Sequence, residues 1–185
     1  MPRAGLDAAA VVDAAATLAD ADGLEALTLA RLAGRLRIRT PSLYAHVGGL
    51  GDLRERLAAR GASQLHAALA EAAAGRAGGD ALRAVADAYR AFAHAHPGLY
   101  AAIQRAREGE ESPAATAAAD VLGVIVAVMR GYGLEGEDAI HAVRMVRSAL
   151  HGFVALEAEG GFGMPISLDN TWERLVALLD RGLVS

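Results

Sequence analysis

Residues 28–47 read TLARLAGRLRIRTPSLYAHV, and the spacing inside this stretch decides the fold of the N-terminal part. Thr28 is a good helix N-cap, and Leu29, Leu32, Ala33 and Leu36 follow at i, i+3, i+4 and i+7, the apolar face of a short helix. Arg37-Ile38-Arg39 then makes a tight turn. Thr40 is a second N-cap candidate, and Pro41 is at home in a first helical turn, so another helix starts here. It can extend only to about Val47, because Gly48 and Gly49 stop it. On this helix Leu43 and Val47 are four apart and face inward. Ser42 and His46, also four apart, face elsewhere, with Pro41 and Ala45 on neighbouring outward positions.

Upstream, Asp7 can cap a first helix running to about Ala21, with Val11, Val12, Ala15, Leu18 and Ala19 on one face and Gly23 ending it. Downstream, a fourth helix is expected from near Leu50 to about Ala73, with Gly61 as a possible bend. The GRAGG segment at 75–79 reads as a boundary. Further helices read as 80–96, 98–108, 113–132, 135–159 and 169–184, separated by Pro97, the polar run 109–112, Gly133 and Gly160-Gly161. No stretch alternates with period two long enough for a strand. The expected fold is all-α, about nine helices, with a three-helix helix-turn-helix domain at 1–49 and a helical bundle at 50–185.

Composition agrees. Of 185 residues 54% are hydrophobic and only 4% aromatic, so small helix-forming side chains pack the core. There is no cysteine, which excludes disulfides and thiolate metal sites. All 18 basic residues are arginine. Net charge is −4, which alone argues against nucleic acid. The distribution argues otherwise. Residues 1–60 hold 8 Arg and 7 Asp/Glu, and between Thr28 and His46 stand four arginines and no acid. The longest apolar run, Val121 to Met129, is about half the length of a membrane span, which needs roughly 20 residues. Arg3 starts something like a signal peptide, but Asp7 and Asp13 interrupt its apolar part. A cytoplasmic protein is expected.

A helix-turn-helix sets its second helix in the major groove, N-terminal residues first, and backbone N–H groups at a helix start favour phosphate. At residues 6–57 the chain resembles the DNA-binding domain of the TetR family, on the LT…LA start of residues 27–33 and the RTPSLYAHV segment. The resemblance implies phosphate contacts from Thr28 and Tyr44. It implies groove or backbone contacts from Arg39, Thr40, Pro41, Ser42 and His46, while Arg31 and Arg37 are candidates from charge alone. One position departs: the family usually has lysine four residues after the histidine, and here Leu50 stands in a GGLGD run. A lost phosphate contact flattens the salt dependence by a slope of about 0.9.

Residues 147–175 resemble the C-terminal ligand-binding and dimerisation domain called the WHG type, on His151-Gly152, Leu156-Glu157, Gly161-Phe162 and a capped final helix; Arg147 stands in place of its tryptophan. The resemblance implies a homodimer, a small-molecule effector and repression of an operator, with no cofactor. Val143, Val146, Leu150 and Phe153 form one stripe; Trp172, Leu175, Val176, Leu179 and Leu183 form another. Both are expected at the dimer interface, with intrachain core as the competing explanation. Tyr89, Phe92, His94, His96, Tyr100, Arg144 and His151 are candidate effector contacts.

Enzyme chemistry finds only decoys. Gly131–Gly136 fits G-x-G-x-x-G letter for letter, but it follows a helix rather than a strand. Asp138 and His141 share a helix face, and a metal needs more ligands than one such pair. The remaining rival is a helical ligand-binding or scaffold protein with a degraded DNA-binding head.

Overall fold

A computed structural model of the chain describes residues 6–106 and 112–184. Within them lie nine α-helices and no strand: α1 (Ala8–Asp22), α2 (Leu29–Leu36), α3 (Thr40–Leu43), α4 (Leu50–Ala73), α5 (Gly78–Ala95), α6 (Pro97–Arg105), α7 (Pro113–Arg130), α8 (Gly136–Ala158) and α9 (Leu168–Leu183), with a 3₁₀ turn at Leu24–Ala26. Arg3 and residues 107–111, the end of the expected sixth helix and most of the polar run after it, lie outside the described residues.

Local chemistry sets the ends. The Asp7 carboxylate accepts from Ala10 N–H at 2.7 Å and starts α1. Gly23, at φ +86°, ends it with a bond to the Ala19 carbonyl. The Thr28 hydroxyl accepts from Arg31 N–H at 3.2 Å. Ser112 and Ser167 cap α7 and α9 in the same way. At α3 the expected cap shifts by one residue. Arg39 holds the N-cap position without a side-chain bond, and Thr40 is already helical. Beyond Leu43 the helix tightens: His46 N–H donates to the Leu43 carbonyl, an i→i+3 bond, before Val47 and the glycines.

The chain divides into two compact units, each built from two segments. The first comprises residues 1–64 and 95–118. Its core holds Val11, Ala15, Leu32, Leu43, Val47, Leu53, Leu57 and Leu99. Here α6 lies directly on α1. A Cβ on Gly98 would fall 2.2 Å from the Ala19 carbonyl carbon, so only glycine permits the approach. Asp20 accepts from the N–H groups of Gly98 (2.9 Å) and Leu99 (3.1 Å), capping α6 from α1, and meets His96 Nδ1 at 3.2 Å. Thus α6, which lies beyond the expected boundaries at 49 and 75–79, belongs to the unit that holds the helix-turn-helix.

The second unit comprises residues 65–94 and 119–185, and the GRAGG segment falls inside it, its first three residues linking α4 to α5 and its last two opening α5. Its core includes Leu69, Leu82, Met129, Val146, Leu150, Phe153, Trp172 and Val176. The Arg90 guanidinium ties three helices together. It pairs with both Glu157 oxygens (2.9 and 2.5 Å) and with Asp169 (2.8 Å), and lies over the rings of Phe153 and Trp172. Arg90 first, then His94, hold the Glu157 carboxyl below its usual range. Burial, then Asp180, pushes the Tyr132 phenol up. The segment 131–134 closes α7 onto α8 through turn bonds, a helix-ending role for the glycine motif. Among the described helices α7 is long and apolar enough to match a membrane span by composition, although its unbroken apolar run is short. Ala114, Ala117, Val128 and Met129 on it are buried.

The apolar stripes of α8 and α9 pack within the chain. Val146, Leu150, Phe153, Trp172 and Val176, expected at a dimer interface, are only 2–6% exposed and fill the chain's own core. Leu175 and Leu179 are half-buried. A stripe at i, i+3, i+4 reports that a helix buries one face, not whether the same chain covers it. Exposed on α8 and α9 are instead Met145, Leu156 and Leu178, with Ile140 on the opposite flank of α8.

Candidate nucleic-acid interface

The helix-turn-helix is anchored from inside by Leu32, Ala33, Leu43 and Val47, each at most 2% exposed. With those side chains fixed, the alternation of the short α3 turns the remaining ones outward. Pro41, Ser42, Tyr44 and Ala45 are exposed, while Thr40 and His46 are half-buried. Tyr44 is 60% exposed, so its ring is not spent on packing. Thr28 sits at the N-cap of α2, exposed; its oxygen serves the cap, which leaves its O–H free to donate.

The turn before α3 depends on an unusual backbone. Arg37 has φ +56°, the single non-glycine residue in the left-handed region among the described residues, and its N–H closes α2 on the carbonyls of Ala33 and Gly34. This bend carries the chain into α3 and leaves Arg35, Arg37 and Arg39 exposed, with no ion pair among the described residues. These three guanidiniums, the Ser42 and Tyr44 hydroxyls and the Thr28 O–H are all exposed donors, three of them cationic. Donors of these kinds contact phosphates and groove edges.

Arg31 stands apart from this set. Its guanidinium pairs with Asp22 at 2.6 Å and donates to the Ala26 carbonyl at 3.1 Å, which ties α2 to the end of α1. Charge alone made it a candidate; the acid that neutralises it lies nine residues away and is brought near only by the fold. Arg54, Arg56 and Arg60 on α4 are likewise paired, with Glu25, Asp52 and Asp13. Sequence reading overlooked Asp52. Its carboxylate accepts from Gly48 N–H at 2.8 Å, which, with Arg56, holds it below the usual carboxylate range. An acid in the first turn of a helix was the available signal.

The candidate effector residues are scattered. Tyr100 is buried in the first unit; Tyr89 and Phe92 are buried in the second. His94 meets Glu157 at 2.9 Å, His151 is half-buried and Arg144 is exposed. Two cavities of the second unit, about 300 and 360 Å³, are lined by other residues. The smaller is apolar, with Ala70, Ala73, Val124, Ala127 and Val128 in its wall. Among the described residues no three His, Asp or Glu side chains come together as a metal site.

Comparison with known proteins places this geometry. A family described as "Tetracyclin repressor-like, C-terminal domain" matches residues 82–179. An uncharacterised HTH-type transcriptional regulator of Mycobacterium tuberculosis is 42% identical over 158 residues, covering 85% of this chain and 72% of its own. An uncharacterised HTH-type transcriptional regulator of Bacillus subtilis is 37% identical over 161 residues, 87% and 84% of the two chains. In fold, the chain is similar to a TetR variant of Acinetobacter baumannii crystallised with minocycline, at a TM-score of 0.72, 21% identity and 96% coverage of each chain.

Proposed function

This chain belongs to the tetracycline-repressor (TetR) family of helix-turn-helix transcriptional regulators and is a DNA-binding regulator; from that premise we propose that it is a ligand-responsive repressor working as a homodimer on operator DNA in the cytoplasm. The observation that carries the DNA part is the outward set Arg35, Arg37, Arg39, Ser42 and Tyr44, all exposed on a buried Leu43–Val47 anchor. In this reading residues 1–49 contact the duplex and 50–185 bind effector and partner.

One copy of a short recognition helix reads one half-site. A two-fold dimer sets two such helices about 34–36 Å apart, one turn of duplex. The open apolar positions Met145 and Leu156 on α8 and Leu178 on α9 are the candidate partner face. For the effector, the apolar cavity of about 300 Å³ lies at the lower end of ordinary ligand-site volumes. The fold neighbour that holds minocycline supports a small-molecule ligand for this architecture. Release follows if the ligand binds unequally to two dimer geometries, one matched to successive major grooves and one not.

The test is a fluorescence-anisotropy titration of the full chain against duplex from upstream of its own gene, at two salt concentrations, beside scrambled duplex. Salt-dependent binding with preference for the first supports the operator reading and opens a screen for ligands that release it. Folded, dimeric protein that binds neither duplex refutes it and favours a ligand-binding helical protein with a degraded head.

A further inference from the structure

We infer that Asp52 limits the grip of this head on DNA: its carboxylate takes up the Gly48 N–H just ahead of α4 and sets a negative charge there, so the protein holds the duplex mainly from the α2–α3 side. The inference rests on the DNA-binding reading and assigns a role within it.

The start of a long helix beside a recognition segment draws phosphate, because its N–H groups are unpaired and its dipole is positive. Here the approach runs through Gly48-Gly49, directly after His46 and Val47, into Leu50. Two features oppose an incoming phosphate. Gly48 N–H is already bonded to Asp52 Oδ2 at 2.8 Å. The bonded group is itself an anion, a third exposed.

The surrounding charge does not compensate. Arg56 Nε lies 3.1 and 3.0 Å from the two Asp52 oxygens and is spent on that carboxylate. Arg54 is paired with Glu25 and Arg60 with Asp13. Leu50 brings no charge. Each arginine in the first three turns of α4 therefore has an acid beside it, Arg54 sharing Glu25 with Arg105, whereas Arg35, Arg37 and Arg39 before α3 are unmatched among the described residues. Attraction to the backbone is one-sided, and Asp52 is the charge that makes it so. Phosphate contacts add affinity without reading sequence, so a head with fewer of them leans more on base contacts for its hold.

The experiment uses the full chain and anisotropy against operator and scrambled duplexes across a salt series. Asp52→Asn keeps an oxygen that accepts from Gly48 N–H and removes the charge. We expect tighter binding to both duplexes, about threefold at low salt for one charge some 6 Å from a phosphate. The gain should shrink as salt screens it, since the screening length is about 10 Å at 0.1 M. If thermal melting shows that Asp52→Asn does not fold, Asp52→Ser, also neutral and a good cap residue, carries the same expectation. A folded variant with wild-type or weaker affinity at low salt overturns the inference and leaves Asp52 as a plain helix cap. Wild-type protein that binds neither duplex, with no binding restored by Asp52→Asn, overturns the DNA-binding reading along with it. Wild-type binding that is unchanged in the variant overturns the Asp52 role alone.

Discussion

Replacing Gly98 by alanine adds one methyl group at the closest approach of α1 and α6. That carbon would lie 2.2 Å from the Ala19 carbonyl carbon, 2.4 Å from its oxygen and 2.5 Å from the Asp20 nitrogen. All three are backbone atoms of a helix, so no side chain can swing aside. Ordinary carbon–carbon contact begins near 3.5 Å, so the helices must part by about 1.3 Å. The parting stretches the bonds from Gly98 and Leu99 N–H to Asp20, now 2.9 and 3.1 Å, beyond useful length. Overpacking costs about 1–3 kcal/mol, and hydrogen bonds to a charged acceptor about 1.5–3 kcal/mol each, so a loss of at least about 4 kcal/mol is expected. Gly123 is the internal control. It lies in α7 with nothing within 4 Å of an added Cβ, so Gly123→Ala should gain about 0.5–1 kcal/mol from helix propensity. Urea unfolding followed by far-ultraviolet circular dichroism measures both. A Gly98→Ala loss under about 1 kcal/mol, at unchanged denaturant slope, would refute the claim that α6 is seated on α1 through this glycine.

Three more outcomes are expected. Arg37→Gly relieves a left-handed residue and should raise stability by up to about 1 kcal/mol, yet weaken DNA binding and lower the salt slope by about 0.9; a parallel change in both assays would contradict the assignment. Leu178→Glu, at a position 60% exposed, should leave the melting temperature nearly unchanged while light scattering shows monomer; an unchanged dimer mass would place the interface elsewhere. Glu157 has a folded pKa below its unfolded value, so its stabilisation is present above about pH 4.5 and is lost as pH falls through the folded value. Glu157→Gln should therefore cost about 3 kcal/mol at neutral pH and flatten the acid limb of the urea midpoint; an acid limb identical to wild type would exclude the Arg90 pair as its source.

Much of this molecule is legible in one dimension, because helix starts and stops are local events. Asp7, Thr28, Ser112 and Ser167 each bond an N–H three residues ahead, and Gly23 closes α1 on a carbonyl four residues back. The helix-turn-helix and its outward side chains follow from the same short-range periodicity, with a one-residue shift at Arg39 and an early tightening after Leu43.

The partners across space were decided by the tertiary structure. Periodicity assigns Val146, Leu150, Phe153, Trp172 and Val176 to a buried face, but only the packed chain shows that its own helices bury them, leaving Ile140, Met145, Leu156 and Leu178 outside. Chain order places α6 with the body, whereas Gly98 and Asp20 seat it on α1, some 78 residues away in sequence. Composition counts arginines alike, whereas the fold divides them. Arg31, Arg54, Arg56 and Arg60 meet acids at separations from 4 to 47 residues, and Arg35, Arg37 and Arg39 meet none among the described residues. The physical reason is common to all three cases. Backbone hydrogen bonds and caps act over three or four residues and are written in local order, while apolar burial and charge pairing act through distance, which exists only once the chain is folded.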